Sequence, residues 1–209
     1  MTQDDRERLL EGQTFEEIWN NQAKTYQEFL ENIEDPEKRD KFERYHKRSE
    51  FIVGEARERL GDLFDYQTKL LVISTDWCWD SQFYLPIIAH IAEASDKVEV
   101  RILLKEKNID LLKKTNGGQK VPYVLIYSQD GYHIDTWVER PAGVYVLVAK
   151  LRQQFGFSSE TKDEYYKEYK KLFLKDAKHF NLEAMNELVD RIIKANAIQG
   201  TSPRINASR

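Results

Sequence analysis

A strand-to-helix alternation between residues 69 and 155 is the feature that most constrains the fold of this chain. Leu70–Thr75 is a short, continuous apolar run, which is typical of a strand buried on both faces. From Cys78 to about Ser95 the apolar positions recur every 3.6 residues, so a helix is predicted to begin almost directly after the strand. The alternation predicts an α/β fold with a central sheet.

Two further strands and a hairpin complete the predicted sheet. Val98–Leu104 alternates apolar and polar residues as a strand does, and Ile109–Lys114 has the pattern of a short helix. Pro122–Tyr127 and His133–Val138 are strand-like and flank a turn that contains Asp130-Gly131. An Asp-Gly turn between two strand-like runs predicts a β-hairpin.

Helical patterns lie on both sides of the predicted strands. A capping box at Thr14 opens one amphipathic helix that ends at Asp35-Pro36, and a second helix continues to Gly61. Ala142–Phe155 is so apolar that we expect this helix to lie flat on one face of the sheet. The chain is thus predicted to contain an N-terminal helical extension (1–64), an α/β core (65–156), C-terminal helices (157–198) and a mobile tail (199–209).

Composition excludes several classes of function. The net charge is −4, with acidic and basic residues interspersed, so neither nucleic acid nor an anionic membrane is an expected partner. No apolar run approaches the roughly 20 residues that span a bilayer, and the first residues are polar, which favours a cytoplasmic location. One cysteine excludes an internal disulfide, and four histidines far apart in the sequence predict no structural zinc site.

The chemistry-bearing residues lie where the first strand meets its helix. The run Asp76-Trp77-Cys78-Trp79-Asp80-Ser81 and the later pair Val121-Pro122 resemble the thioredoxin superfamily, and the order of elements between them also matches. Asn116–Pro122 and Trp137–Pro141 resemble, more narrowly, a bacterial group of thioredoxin-like proteins with a helical N-terminal extension. The resemblance covers roughly residues 65 to 155.

The resemblance implies a thioredoxin-like mixed sheet and a set of site residues. Cys78 would be the attacking thiol, and Pro122 a cis-proline that faces it and lines, with the Val121 main chain, a groove for an extended substrate segment. Trp77 and Trp79 are candidate substrate contacts, although tryptophans near a helix start also serve as packing residues. Independently of kinship, a thiol at a helix N-terminus meets unpaired N–H groups that favour the thiolate.

Three departures from the superfamily pattern bear on the chemistry. Ser81 stands where the second cysteine of a Cys-x-x-Cys pair would be, so the chain cannot resolve a mixed disulfide alone, although the serine hydroxyl can donate to a thiolate at Cys78. Val72 occupies the place of a buried acid. Asp80 suits the first turn of a helix but repels a nearby thiolate, which leaves the pKa of Cys78 open.

The leading hypothesis is a monothiol thiol–disulfide oxidoreductase. Cys78 would attack the disulfide of a protein substrate, and an external low-molecular-weight thiol, as co-substrate, would resolve the product; no bound cofactor or metal is predicted. The alternative is a non-catalytic module that uses the same fold to bind a protein partner, and a weaker one is a glutathione-transferase-like enzyme. The apolar faces of the flanking helices require cover by the core or by a second subunit, which leaves a homodimer open.

Overall fold

The computed structural model describes residues 13–61, 63, 65–116 and 119–202. Within these residues the chain forms a four-stranded sheet surrounded by helices, which confirms the predicted α/β class. The strands are β1 (Thr68–Ser74), β2 (Val98–Leu104), β3 (Tyr123–Ser128) and β4 (His133–Val138). The α-helices are α1 (Phe15–Asn21), α2 (Tyr26–Glu31), α3 (Pro36–Ser49), α4 (Ile52–Leu60), α5 (Trp79–Glu93), α6 (Ile109–Thr115), α7 (Ala142–Phe155), α8 (Lys162–Lys175) and α9 (Ala177–Gly200).

The sheet is mixed, with the strand order β2-β1-β3-β4. β1 pairs with β2 in parallel and with β3 in antiparallel register, so that Val72 lies between Ile102 and Val124. β3 and β4 form the predicted antiparallel hairpin. Because β1 is central and covered on both faces, almost all of its residues are buried, which explains its continuous apolar run.

The two faces of the sheet are covered by different helices. Alternate residues of a strand point to opposite faces, and β1 follows this rule: Leu70 and Val72 belong to one apolar cluster, Leu71 and Ile73 to another. The first cluster joins the sheet to residues of α3, α4, α5, α8 and α9. The second is smaller and joins it to α1 and α6. Helices before and after the strands therefore share one core with them.

The predicted first helix is divided into α1 and α2, because the chain leaves helical geometry to pair with the sheet. The backbone of Lys24 exchanges two hydrogen bonds with Ile102 of β2, with N···O distances of 2.8 and 2.7 Å. Thr25 then starts α2 with its own capping box to Glu28. The predicted second helix is also divided, between α3 and α4, after Ser49, whose hydroxyl donates back to the carbonyl of Tyr45.

The prediction that α7 lies flat on the sheet is wrong. This helix packs chiefly against α8 and α9, and α9 is the helix that contacts β3 and β4. Only Val144 and Leu151 of α7 are buried, whereas Val146 is 52% exposed. Apolar content alone could not reveal that the longer α9 already occupies that sheet face.

The C-terminal boundary differs slightly from the prediction. Gln199 and Gly200, which we assigned to the tail, belong to α9, and the Gln199 side chain accepts a hydrogen bond from the backbone N–H of Gln129 at 2.9 Å. Residues 203–209 of the predicted tail, and residues 1–12 of the predicted N-terminal extension, lie outside the described residues. Among the described helices, none combines the length and apolar character that crossing a bilayer requires.

Candidate active site around Cys78

Cys78 occupies the junction between β1 and α5. It is the N-cap residue of α5, with extended backbone angles (φ −76°, ψ 129°), and its side chain is half-buried. Because β3 runs antiparallel to β1, the start of β3 lies beside the end of β1. The Cys78 Sγ is 3.7 Å from the carbonyl oxygen of Val121, and the Val121–Pro122 peptide bond is cis. The thiol and the proline peptide predicted to face each other are therefore neighbours.

The side chains of Val121 and Pro122 are both buried. Val121 packs in the second apolar cluster with Leu111 and Leu112, and Cys78 packs partly against the same cluster. Apolar packing thus holds Val121 in place, and the groove along Val121 and Pro122 stays a prediction.

Burial dominates the electrostatics of the thiol. It raises the pKa of Cys78 above its ordinary value, and the nearby Asp80 carboxylate raises it further. The backbone N–H groups of Ser81 and Asp80 lower it, as expected at a helix N-terminus, but they do not compensate fully. Burial and Asp80 together therefore outweigh the backbone N–H groups, and the net effect is a raised pKa of the Cys78 thiol.

Ser81 lies in the first turn of α5, three residues after Cys78. It is completely buried, and apart from the Cys78 thiol its hydroxyl has no hydrogen-bond partner among the described residues. The hydroxyl contributes to lowering the pKa of Cys78. This position fits the predicted role, because a donor without another partner is available to a thiolate.

Asp80 lies in the first turn of α5, but its side chain does not cap the helix. Its side chain makes no cap hydrogen bond; instead, Oδ2 accepts a hydrogen bond from Arg140 at 2.7 Å. The other oxygen, Oδ1, is buried without a hydrogen-bond partner among the described residues. Burial raises the pKa of Asp80 to about 7, and the Arg140 guanidinium offsets only part of that effect.

A network of charged residues connects Asp80 to the proline loop. Arg140 also pairs with Glu139 at 2.7 Å, and Glu139 accepts hydrogen bonds from Lys120 and Tyr145, each at 2.8 Å. Burial alone would raise the pKa of Glu139, but Lys120 and Arg140 lower it below its ordinary value.

The backbone of Glu139 fastens this network to the start of β3. Glu139 adopts a left-handed conformation (φ +64°), which is uncommon for a residue other than glycine. In that conformation its N–H donates to the Pro122 carbonyl at 2.7 Å. The sequence reasoning did not assign a role to Glu139 and Arg140, although both lie within the run Trp137–Pro141 that carried part of the resemblance.

Trp77 is the exposed aromatic residue of the candidate site. Its side chain is 56% exposed, and its ring N–H donates to Glu106 at 2.8 Å. The Lys105 ammonium lies 5.2 Å from its ring centroid and also donates to the carbonyl of Gln119. These contacts hold a large aromatic surface in place at the residue that precedes Cys78 in the chain.

Trp79 points in another direction. Its ring packs against Phe173 and Tyr169 of α8, with centroid separations of 4.7 and 5.2 Å. Trp79 therefore connects α5 with the C-terminal helices and does not contribute to the exposed aromatic surface of Trp77. Val72 is completely buried in the first apolar cluster, so the place of the usual buried acid is apolar here.

A mixed sheet with a cysteine at the N-terminus of the helix after β1, facing a proline that precedes β3, defines a thioredoxin-like protein. The family model Thioredoxin_9, described as thioredoxin, matches residues 23–152, and the chain belongs to this family. No curated protein matches the chain.

Two solved structures share the fold at low sequence identity. One is a protein of unknown function from Pseudomonas aeruginosa, with a TM-score of 0.63 and 18% identity over 83% of this chain and 93% of that chain. The other is an HIV epitope scaffold, with a TM-score of 0.59 and 18% identity over 81% of this chain and 92% of that chain.

Proposed function

We propose that Cys78 performs thiol–disulfide exchange as a lone thiol. The observation that carries the proposal is the position of the sulfur in a half-buried residue at the N-terminus of α5, 3.7 Å from the carbonyl that precedes the cis-proline. Membership of the thioredoxin family supports a redox role in general. The monothiol character follows from Ser81, which replaces the second thiol of a Cys-x-x-Cys pair.

The proposed exchange has two steps. The Cys78 thiolate attacks one sulfur of a substrate disulfide, so that a mixed disulfide forms and the other substrate sulfur leaves as a thiolate, which takes up a proton. A low-molecular-weight thiol then attacks the substrate sulfur of the mixed disulfide and Cys78 leaves as thiolate. One disulfide is consumed and one is formed, so the exchange needs no further oxidant or reductant.

Asp80 is the residue suited to accept and return the proton of the Cys78 thiol. Its pKa of about 7 lies close to neutrality, so the carboxyl can both accept and return a proton near neutral pH. Its Oδ1 has no other hydrogen-bond partner among the described residues. We assign Asp80 the role of a positioning residue that controls the protonation of Cys78.

The substrate is placed on the exposed side of the sulfur, over Trp77. Val121 and Pro122 are buried, so they would shape the floor of the site rather than pair with an extended strand. Trp77 offers an aromatic surface, with Lys105 and Glu106 at its edge. A disulfide-containing or thiol-containing protein segment with an apolar residue beside its sulfur fits this surface.

The test is turnover of a disulfide with an external thiol. We expect the wild-type protein to reduce bis(2-hydroxyethyl) disulfide, with glutathione as the resolving thiol, at least tenfold faster than Cys78→Ala. Mass spectrometry should detect a mixed disulfide at Cys78 when glutathione is omitted. Ser74→Ala, which removes another buried hydroxyl nearby on β1, serves as the control and should retain activity. Equal rates for wild type and Cys78→Ala would refute the proposal.

A second candidate function is a protein-binding module without turnover. The raised pKa of Cys78 and the apolar Val72 favour it, because both reduce the thiolate population that catalysis requires. This function predicts that Cys78→Ala binds the same protein partner as the wild type, whereas Trp77→Ala loses binding. A partner captured only through a disulfide to Cys78 would contradict it.

A further inference from the structure

Two histidines that lie far apart in the sequence meet at the opposite end of α5. His46 in the last turn of α3 and His90 in the last turn of α5 have ring centroids 3.9 Å apart. Glu93, the last residue of α5, reaches both rings: its Oε2 is 2.9 Å from Nδ1 of His90, and its Oε1 is 3.3 Å from Nε2 of His46. Although His46 and His90 are far apart in the sequence, they are neighbours in the structure.

The backbone fixes the tautomer of His90. Its Nε2 is 2.9 Å from the carbonyl oxygen of His46, and a carbonyl oxygen can only accept a hydrogen bond. Nε2 therefore carries the proton, and in the neutral ring Nδ1 presents a bare lone pair to the Glu93 carboxylate. Two acceptors 2.9 Å apart repel each other unless a cation lies between or beside them. A metal ion held by both atoms would be such a cation.

We propose that His46, His90 and Glu93 bind a divalent transition-metal ion of the Zn²⁺ class. One donor atom of each residue, a ring nitrogen of each histidine and a Glu93 carboxylate oxygen, lies within 4.8 Å of the other two. Ligands of a tetrahedral Zn²⁺ lie about 3.3 Å apart, since each bond is about 2.0–2.2 Å long, so small side-chain rotations bring the donors into place. Two imidazoles with one carboxylate suit zinc, cobalt or nickel better than magnesium or calcium.

The surroundings of the three residues match those of a metal ligand set. The His46 carbonyl that accepts from His90 is the outer partner that orients a ligating imidazole. The His46 side chain is partly exposed, so its ring can be reached from the solvent. Both α3 and α5 end at this point, and the negative ends of their dipoles favour a cation.

The site is open on one side. A surface cavity of about 460 Å³ borders His46 and Glu93, and Glu31 and Glu43 also line it. The cavity leaves room for water as a fourth ligand, which distinguishes this arrangement from a closed structural zinc site with four protein ligands. The sequence signal was the spacing His90-x-x-Glu93, which places both side chains on one face of a helix.

Metal titration of the full chain tests the proposal. Chelator-treated protein carrying Cys78→Ala, so that the thiol cannot bind metal, is titrated calorimetrically with Zn²⁺ and then with Co²⁺ followed by visible absorption. We expect one equivalent to bind and the Co²⁺ spectrum to show tetrahedral or five-coordinate bands. His46→Gln and Glu93→Gln change partly exposed side chains, and each should weaken binding at least tenfold, while His179→Gln, an exposed histidine elsewhere, should leave it unchanged.

Two outcomes would overturn the proposal. One is the absence of saturable binding of Zn²⁺ or Co²⁺. The other is equal affinity in His46→Gln, Glu93→Gln and the His179→Gln control, which would place the metal elsewhere. Circular dichroism of each variant establishes that the comparison is made between folded proteins. Because Cys78 is absent throughout, neither outcome depends on the thiol chemistry.

Discussion

The two ends of α5 favour groups of opposite charge, yet the helix dipole alone does not determine the pKa values at either end. The N-terminus holds a thiol, where the positive end of the dipole favours an anion, and the C-terminus holds His90 and Glu93, where the negative end favours a cation. At the first end, burial and Asp80 raise the pKa of Cys78 in spite of the dipole. At the other end, burial lowers the pKa of the neighbouring His46 in spite of Glu93. Desolvation therefore outweighs the dipole at both ends.

The helix itself holds the two ends about 20 Å apart, given 1.5 Å per residue over its 15 residues. Its middle lies entirely in the core, and Ile88 is completely buried. This buried middle connects the thiol end of α5 with the histidine end.

Ile88→Ala should have the largest effect on stability. Removing a buried isoleucine side chain leaves a cavity, and we expect the free energy of unfolding to fall by about 2–5 kcal/mol. Val146→Ala, at a position that is 52% exposed on α7, is the control and should change it by less than about 0.5 kcal/mol. Urea unfolding of both variants makes the comparison. Similar small losses would show that α5 is not the buried support described here.

Asp80 should make stability depend on pH. Its pKa in the folded chain is about 7, above the value of about 3.9 in an unfolded chain, so the fold holds this proton more tightly. The resulting stabilisation is complete below about pH 4 and is lost as the pH rises through about 7.

Comparison with Asp80→Asn isolates this contribution. Between pH 5 and pH 8 we expect the wild type to lose about 2–3 kcal/mol of stability relative to the variant. Equilibrium unfolding in urea at both pH values measures the difference. Parallel profiles for the two proteins would mean that Asp80 is ionised at both pH values and fully compensated by Arg140.

Asp80→Asn should also activate the thiol. Removal of the carboxylate charge lowers the pKa of Cys78, and we expect iodoacetamide to alkylate Cys78 about three to ten times faster at pH 7. Asp76→Asn is the matched control, because Asp76 lies at the same distance along the chain on the other side of Cys78 and pairs with Lys38 at 3.0 Å. An equal acceleration in both variants would remove the specific role of Asp80.

Ser81→Ala should have the smallest effect. The hydroxyl contributes only weakly to lowering the pKa of Cys78, so its loss should slow alkylation at pH 7 by about twofold. Ser74→Ala, which removes another buried hydroxyl without a hydrogen-bond partner among the described residues, should leave the rate unchanged. A faster reaction in Ser81→Ala would contradict the donor role.

Local patterns in the sequence predicted the parts of the fold that depend on neighbouring residues. The passage from β1 into α5 and the hairpin around Asp130-Gly131 were predicted because their signals lie within a few residues of each other. The placement of Cys78 and Pro122 depended on the family resemblance as well. The division between α1 and α2 escaped prediction, because it depends on the pairing of Lys24 with Ile102.

The electrostatic environment of the site could not be predicted from local patterns. Asp80 is paired with a residue 60 positions later in the chain, and His46 meets His90 across 44 positions. Both contacts exist only because the fold brings distant parts of the chain against α5: the loop between β4 and α7 in one case and α3 in the other. Their effects on pKa follow from burial, which the sequence around each residue does not report.

The pH dependence of Cys78 alkylation tests the central claim most directly. With iodoacetamide, the wild-type rate should rise with an inflection above that of free cysteine, about 8.5, and Asp80→Asn should move the inflection to lower pH. The reaction should be absent in Cys78→Ala. An inflection at or below neutral pH in the wild type would show that the helix dipole, rather than burial and Asp80, controls the thiol.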